Sequence, residues 1–160
     1  MPNSQIAIAK SLPENDVIIA QHFYQLWLDN KVPSDSLRED WLEITLKFIE
    51  QARQEFSFQG FIAQDINKNQ IVGSASCQLF QGLYPSPFKL EKRKYGYIWN
   101  VFVESDYRRQ GIATQLTNKT IEYLKNLDCT RAVLHASPWG KPVYENLGFI
   151  PGNEMILDLL

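Results

Sequence analysis

The stretch from Tyr95 to Leu127 constrains the fold most, because a strand pattern passes directly into a helix pattern within it. Residues 95–103 are mostly aromatic or β-branched, which favours a strand. From about Gln110 to Leu127 the apolar residues recur at helical spacing, which predicts an amphipathic helix. A strand that is followed closely by an amphipathic helix indicates a fold in which helices cover a sheet.

The remaining elements can be placed around this junction. Further strands are predicted at residues 5–9, 58–64, 70–80, 131–136 and 155–159, with an irregular loop at 82–92. Two apparent capping boxes, at residues 11–14 and 36–39, predict the starts of two helices. A short helix should become regular from about Lys141 and end at Leu147, with Gly148 as the residue after its C-cap. The order β-α-α-β-β-β-α-β-α-β predicts an α+β, or mixed α/β, layered domain.

Length and composition set further bounds. A chain of 160 residues, 44% of them hydrophobic, can bury one core, so residues 1–160 are predicted to form one domain. The net charge of −2 gives no positive field for nucleic-acid binding. No segment is apolar enough to cross a membrane, and residues 1–5 carry no basic leader, so a cytoplasmic protein is predicted. Cys77 and Cys129 are far apart and predicted to be free thiols, and no metal-ligand spacing is present.

The turn before the predicted helix has the features of a phosphate-binding site. The first backbone N–H groups of a helix lack partners, and the helix dipole adds partial positive charge there. Gly111 lets the backbone approach an anion, and Arg108 and Arg109 can add charge-assisted contacts. A glycine near a helix start and solvated arginines are also common, so this segment alone leaves the function open.

A second segment about 30 residues on makes the first more specific. Residues 108–113 and 143–149, read together in this order and spacing, resemble the two motifs of the GNAT N-acetyltransferase superfamily. The resemblance implies an acyl-CoA N-acyltransferase fold with a central, mostly antiparallel sheet flanked by helices. It also implies an acetyl-CoA-dependent enzyme that acetylates a primary amine by direct attack in a ternary complex, without a metal.

Site residues carry over from the resemblance by position. The pyrophosphate of acetyl-CoA is expected on Arg109, Gln110, Gly111, Ile112 and Ala113, with Arg108 beside them. The pantetheine arm is expected along Val101, Phe102 and Val103, in a gap beside the next strand, and Ser137 is predicted to cap the following turn and to contact the cofactor.

Three side chains are candidates for proton transfer. Tyr144 matches the family tyrosine that protonates the departing thiolate, although packing alone would also explain a helix aromatic. Glu104 and His135 are alternative general bases, and neither is preferred by the sequence. The first two helices and the loop at 82–94 are expected to hold a small-molecule or peptide amine, and a homodimer is possible. A CoA-binding sensor or scaffold without turnover is the alternative function, and an unrelated anion-binding domain is a third.

Overall fold

The computed structural model describes residues 4–160 and contains one five-stranded sheet in the order β1-β2-β3-β4-β5. Its strands are β1 (Ile6–Lys10), β2 (Gln59–Asp65), β3 (Gln70–Phe80), β4 (Tyr95–Val103) and β5 (Arg131–Val133). The helices are α1 (Asp16–Asp29), α2 (Trp41–Glu55), α3 (Ile112–Asn126) and α4 (Lys141–Asn146). Every neighbouring pair is antiparallel except β4 and β5, which are parallel. The predicted fold class is therefore confirmed.

The two faces of the sheet carry different helices. On one face α3 packs Ile112, Leu116 and Leu124 against the apolar side of β2, β3 and β4. On the other face α1 and α2 cover Trp99, whose ring meets those of Phe23 and Phe48 edge-on at 5.0 and 5.5 Å. The sheet is thus buried on both sides, which fixes the position of β4 between the helical layers.

A bulge at Asn100 changes which side chains of β4 face each helical layer. Asn100 has a φ of 54°, and the pairing of β3 with β4 shifts between Ser74 and Ser76. An extra residue in one strand inverts the alternation beyond it. Val101 consequently packs towards α3, while Phe102 lies against His22 of α1.

The two predicted capping boxes are wrong. The Ser11 hydroxyl is buried without a hydrogen-bond partner, and Asn15 accepts the Leu12 N–H instead, at the start of a 3₁₀ turn that precedes α1. Ser36 ends another 3₁₀ turn, and α2 begins five residues later, at Trp41. Ser11 precedes a 3₁₀ turn and Ser36 lies within one, so neither hydroxyl is next to the first turn of the α-helix that it was predicted to cap.

The predicted closing strand at 155–159 is also wrong for this chain. Residues 151–160 have no regular secondary structure, and their side chains are exposed. A strand pattern needs a partner to form a ladder, and no described residue offers its backbone to this segment. No helix within residues 4–160 is long and apolar enough to cross a membrane. The leader expectation rests on residues 1–5, of which the first three lie outside the described residues.

Candidate active site

The sheet has a gap beside the second half of β4, because β5 ends at Val133 while β4 runs on to Val103. The two strands pair over only three positions, the last being Tyr97 opposite Val133. Beyond that point β4 continues to Val103, and no strand within residues 4–160 lies on its β5 side. The main-chain groups of residues 98–103 on that side therefore have no ladder partner among the described residues. Unpaired main chain of this kind can hydrogen-bond an extended ligand, as an edge strand does.

The gap ends at a turn whose backbone N–H groups are unpaired. The N–H groups of residues 109–113 donate no hydrogen bond to any acceptor within residues 4–160. Arg109 and Gly111 have φ values of 62° and 78°, a left-handed conformation that glycine adopts without strain. A Cβ on Gly111 would meet no atom within 4 Å, so the turn faces open space. Converging N–H groups at a helix N-terminus suit a phosphate.

Arg108 lies beside this turn but is held by protein groups. Its Nε donates to the Val103 carbonyl at 2.8 Å, and its Nη2 donates to Asp29 Oδ2 at 2.6 Å. Burial by itself would raise the pKa of the Asp29 carboxyl, but hydrogen bonds from Gln25 and Arg108 and the charge of the Arg108 guanidinium outweigh it and lower that pKa. Arg108 therefore ties the end of β4 to α1.

A chain of three polar side chains lies where the gap begins. The Tyr97 hydroxyl is 2.6 Å from His135 Nδ1, and His135 Nε2 is 2.7 Å from Glu154 Oε2. Because an ionised carboxylate can only accept, the imidazole places its proton on Nε2 and accepts from Tyr97 through Nδ1. Burial raises the pKa of Tyr97, and the Glu154 carboxylate raises it further. The arrangement is a carboxylate–imidazole–phenol relay.

Tyr144 of α4 is half-buried near the same point. Burial raises the pKa of Tyr144 to about 12, with a smaller contribution from Tyr97. Its ring packs edge-on against Phe149 at 5.8 Å. The Ser137 hydroxyl accepts the Gly140 N–H at 3.1 Å and shapes the turn before α4, which becomes regular at Lys141 as predicted.

Glu104 lies at the opposite end of the gap from this relay. Six residues of β4, 98–103, lie between Glu104 and Tyr97, which puts the two roughly 20 Å apart in extended chain. Its carboxylate is 3.8 Å from Nε2 of His22, a buried side chain whose Nδ1 meets the Ser74 hydroxyl at 2.8 Å. Both border a polar cleft of about 310 Å³ between α1 and the end of β4, together with Arg108. The structure thus separates the two candidate bases that the sequence left equivalent.

Sequence reasoning missed Tyr97 and Glu154. Tyr97 stands in a run of strand aromatics, and Glu154 is 19 residues from His135 and outside every regular element. The Phe80 ring, at the end of β3, lies 5.8 Å from the Tyr97 ring. Tyr84 and Phe88 are exposed on the loop that follows β3.

Comparison with known proteins decides the family. The family model described as "Acetyltransferase (GNAT) family" matches residues 20–149, which include the gap, the turn and Tyr144. The chain belongs to the GNAT acetyltransferase family. The predicted family and the prediction of an acetyltransferase are therefore confirmed.

Solved structures agree with this assignment at the level of the fold. A GCN5-related N-acetyltransferase from Ralstonia eutropha JMP134 has a TM-score of 0.82 at 19% identity, and the match covers 97% of this chain and 99% of that one. A predicted acetyltransferase from Clostridium acetobutylicum, solved with acetyl-CoA, has a TM-score of 0.81 at 22% identity and covers 97% of both chains.

A shorter match exists among curated proteins. N-alpha-acetyltransferase 30 of Xenopus laevis is 43% identical over 58 residues. The match covers 34% of this GNAT chain. It covers only 21% of the length of the relative, so the chain spans about a fifth of that protein.

Proposed function

We propose that this GNAT protein transfers an acetyl group from acetyl-CoA directly to a primary amine. The observation that carries the proposal is the continuous path from the β4–β5 gap to the unpaired N–H groups of residues 109–113. Such a path suits a long ligand with an amide-bearing arm and a pyrophosphate at one end. The fold neighbour from Clostridium acetobutylicum, solved with acetyl-CoA, supports the same co-substrate.

Acetyl-CoA would lie with its pyrophosphate over the turn and its arm along β4. The N–H groups of residues 109–113 would bind the phosphates, and Arg109, which makes no ion pair within residues 4–160, can add its charge. Ile112 is buried, so only its main chain can take part. The main chain of Val101 to Val103 would pair with the arm, and the thioester would then reach the Tyr97 end of the gap. Ser137 would border the ligand from the start of α4.

Tyr144 would serve as the general acid. A phenol whose pKa burial raises to about 12 keeps its proton throughout the neutral range. It can donate that proton as the C–S bond breaks and negative charge builds on the CoA sulfur. Because a raised pKa makes a weak acid, its contribution should be near the lower end of the usual range, about 100-fold in rate.

His135 would serve as the general base through Tyr97. The acceptor must lose a proton before attack, since an alkylammonium group with a pKa near 10 is almost fully protonated at neutral pH. The Tyr97 oxygen would accept that proton while its own passes to His135 Nδ1, and Glu154 would stabilise the resulting imidazolium. Glu104 lies at the far end of the gap from Tyr144, which makes it the weaker candidate.

The reaction would proceed without a covalent enzyme intermediate. The neutral amine adds to the thioester carbonyl, the C–S bond breaks, and the CoA sulfur takes the Tyr144 proton. The added nitrogen loses its second proton to the Tyr144 phenolate, which leaves the amide, CoA and the protonated phenol. A main-chain N–H on the unpaired side of β4, next to Tyr97, would stabilise the carbonyl oxygen as it gains charge. Burial raises the pKa of the Cys77 thiol, which keeps it protonated and a poor nucleophile.

The acceptor would be a small-molecule or peptide amine. The curated relative named as an N-alpha-acetyltransferase supports an α-amine, although the match spans a fifth of that protein. The test is CoA release with amino acids, polyamines, aminoglycosides and short peptides, followed by two variants at saturating acetyl-CoA.

With the acceptor that this screen identifies, Tyr144→Phe should lower kcat about 100-fold and leave acetyl-CoA affinity unchanged. Tyr123→Phe is the matched control, because Tyr123 is also a half-buried tyrosine with a raised pKa but bonds Ser57 on the α3 side. A wild-type kcat for Tyr144→Phe would remove the assigned acid. Acetyl-CoA binding without turnover of any amine would favour the sensor or scaffold.

A further inference from the structure

The loop between β3 and β4, residues 81–94, exposes large apolar side chains. Every residue from 81 to 92 is exposed. Within residues 4–160 the backbone of that stretch bonds only locally, where the Lys89 carbonyl accepts the N–H groups of Lys92 and Arg93 at 2.9 and 3.0 Å. Four large apolar side chains are between 54% and 89% exposed, at Leu83, Tyr84, Phe88 and Leu90. Apolar side chains clustered in water in this way mark a surface that binds a partner.

The β3–β4 loop also concentrates positive charge. Residues 89–94 contain four cations and one carboxylate, whereas the chain as a whole has a net charge of −2. The cations are Lys89, Lys92, Arg93 and Lys94, and none of them forms an ion pair within the described residues 4–160. Uncompensated cations at a surface attract anionic partners, and salt screens that attraction.

The apolar and charged groups of the loop meet in space as well as in sequence. The Arg93 guanidinium lies 5.0 Å from the Phe88 ring and 4.9 Å from the Tyr95 ring, the first side chain of β4. The Lys94 N–H donates to Thr130 Oγ1 at 2.9 Å, and the Lys94 carbonyl accepts the Thr130 N–H at 2.7 Å. The loop therefore extends from a fixed base and presents both kinds of side chain together.

The form of the loop favours a lipid surface over a protein partner. The loop contains Pro85 and Pro87 and has no strand or helix of its own, so it offers no strand edge with which an extended peptide would pair. A bilayer interface needs no such edge, because apolar side chains enter the headgroup boundary while lysines and arginines beside them contact anionic headgroups. Tyr84 agrees with this setting, since tyrosine is enriched at membrane interfaces.

We propose that the β3–β4 loop binds the surface of a membrane that contains anionic lipids. The four exposed apolar side chains enter the interface, and the four cations lie at the headgroups. Stable peripheral attachment takes two signals, and this loop supplies an apolar one and a polybasic one. Each cation close to an anionic surface strengthens binding about fivefold. The binding is independent of the acetyl transfer proposed above.

Co-sedimentation of the full chain with vesicles tests the binding. At ~0.1 M salt the chain should bind phosphatidylcholine vesicles that contain about 30% phosphatidylglycerol, and about 0.5 M salt should release it. Vesicles of phosphatidylcholine alone should bind at least about 10-fold more weakly. No binding to the anionic vesicles, or equal binding to both kinds, would overturn the proposal. Binding of soluble polyglutamate without binding of vesicles would assign the loop to an acidic protein segment and would overturn it too.

Charge reversal tests whether this loop is the surface that binds. Lys89→Glu/Lys92→Glu should weaken vesicle binding by at least about 30-fold. Lys31→Glu/Lys125→Glu makes the same change of net charge at two exposed lysines outside the loop and should stay within about threefold of the wild type. Equal losses in the two variants would refute the assigned surface, and circular dichroism checks that both are folded.

A fluorescent label tests insertion of the apolar side chains. In a Cys129→Ser background, Leu83→Cys is labelled with an environment-sensitive dye, and Cys77 does not react because it is buried. Anionic vesicles should shift the emission of this dye to shorter wavelengths. The same dye at Ile66→Cys, an exposed position at the other end of β3, should show no shift. A dye on the loop that stays in water, or an equal shift at both positions, would overturn the proposal.

Discussion

His22 should make the stability of this protein depend on pH in a defined window. Its side chain is almost fully buried against Phe102, and burial lowers its pKa from 6.5 to about 4. Glu104, 3.8 Å from Nε2, is too distant for a hydrogen bond and is partly exposed, so Nε2 has no hydrogen-bond partner among the described residues. His22 is therefore neutral in the folded protein at neutral pH.

The sign and size follow from linkage. Because the folded-state pKa lies below the unfolded one, the unfolded chain binds a proton first as the pH falls. The contribution of neutral His22 to the free energy of unfolding is complete above pH 6.5, and it is lost as the pH falls from 6.5 to about 4. That interval corresponds to about 3 kcal/mol, at 1.36 kcal/mol per pH unit. Carboxyl groups with a lowered pKa, such as those of Asp29 and Asp65, lose their contributions only below their ordinary 3.8.

Urea unfolding measures how the free energy of unfolding depends on pH. Measurements at about pH 7, 6, 5 and 4.5 span the window in which His22 acts. His22→Gln keeps a polar group near Ser74 but removes the titration, so the free energy of unfolding should become nearly independent of pH between 6.5 and 4.5. His135→Gln is the matched control, since the chain has only two histidines. If His22→Gln retains the wild-type slope, or His135→Gln abolishes it, the reasoning is refuted.

Three further substitutions have defined outcomes. Gly111→Glu should abolish acetyl-CoA binding in calorimetry, because it places a carboxylate at the helix N-terminus in a left-handed conformation, whereas Gly152→Glu should bind normally. Gly96→Val should lower the free energy of unfolding by about 1–3 kcal/mol, since its Cβ would overlap the Leu124 side chain; a wild-type denaturation midpoint would contradict this. His135→Gln should lower kcat by about 100-fold or more and leave acetyl-CoA affinity unchanged, and a wild-type kcat would assign the base elsewhere.

The pattern along the chain predicts the strands and the larger helices well, because burial dominates them. The strands predicted at 58–64 and 70–80 were correct to within one residue. Asp65 closes the turn between them by accepting the N–H groups of Asn67 and Lys68. The start of α4 at Lys141 was correct because Pro142 admits a helix only near its first turn.

The bulge and the relay were beyond sequence reasoning because both depend on distant partners. Asn100 has a left-handed conformation, and its side-chain amide donates hydrogen bonds to the Ser74 hydroxyl and the Ile19 carbonyl. These two partners lie 26 and 81 residues away in the sequence. His135 becomes part of a relay only because Glu154 returns to it. The terminal strand was predicted from a genuine apolar pattern, but a strand forms only where another backbone completes its ladder.

Calorimetric titration of the full chain with acetyl-CoA, and in parallel with acetyl-pantetheine, tests the central claim most directly. The unpaired N–H groups of residues 109–113 predict acetyl-CoA binding on the order of 10 µM or tighter. They also predict affinity at least about 100-fold weaker for acetyl-pantetheine, which lacks the phosphates. Equal affinity for the two, or no binding of acetyl-CoA up to about 1 mM, would contradict the proposed co-substrate and its site.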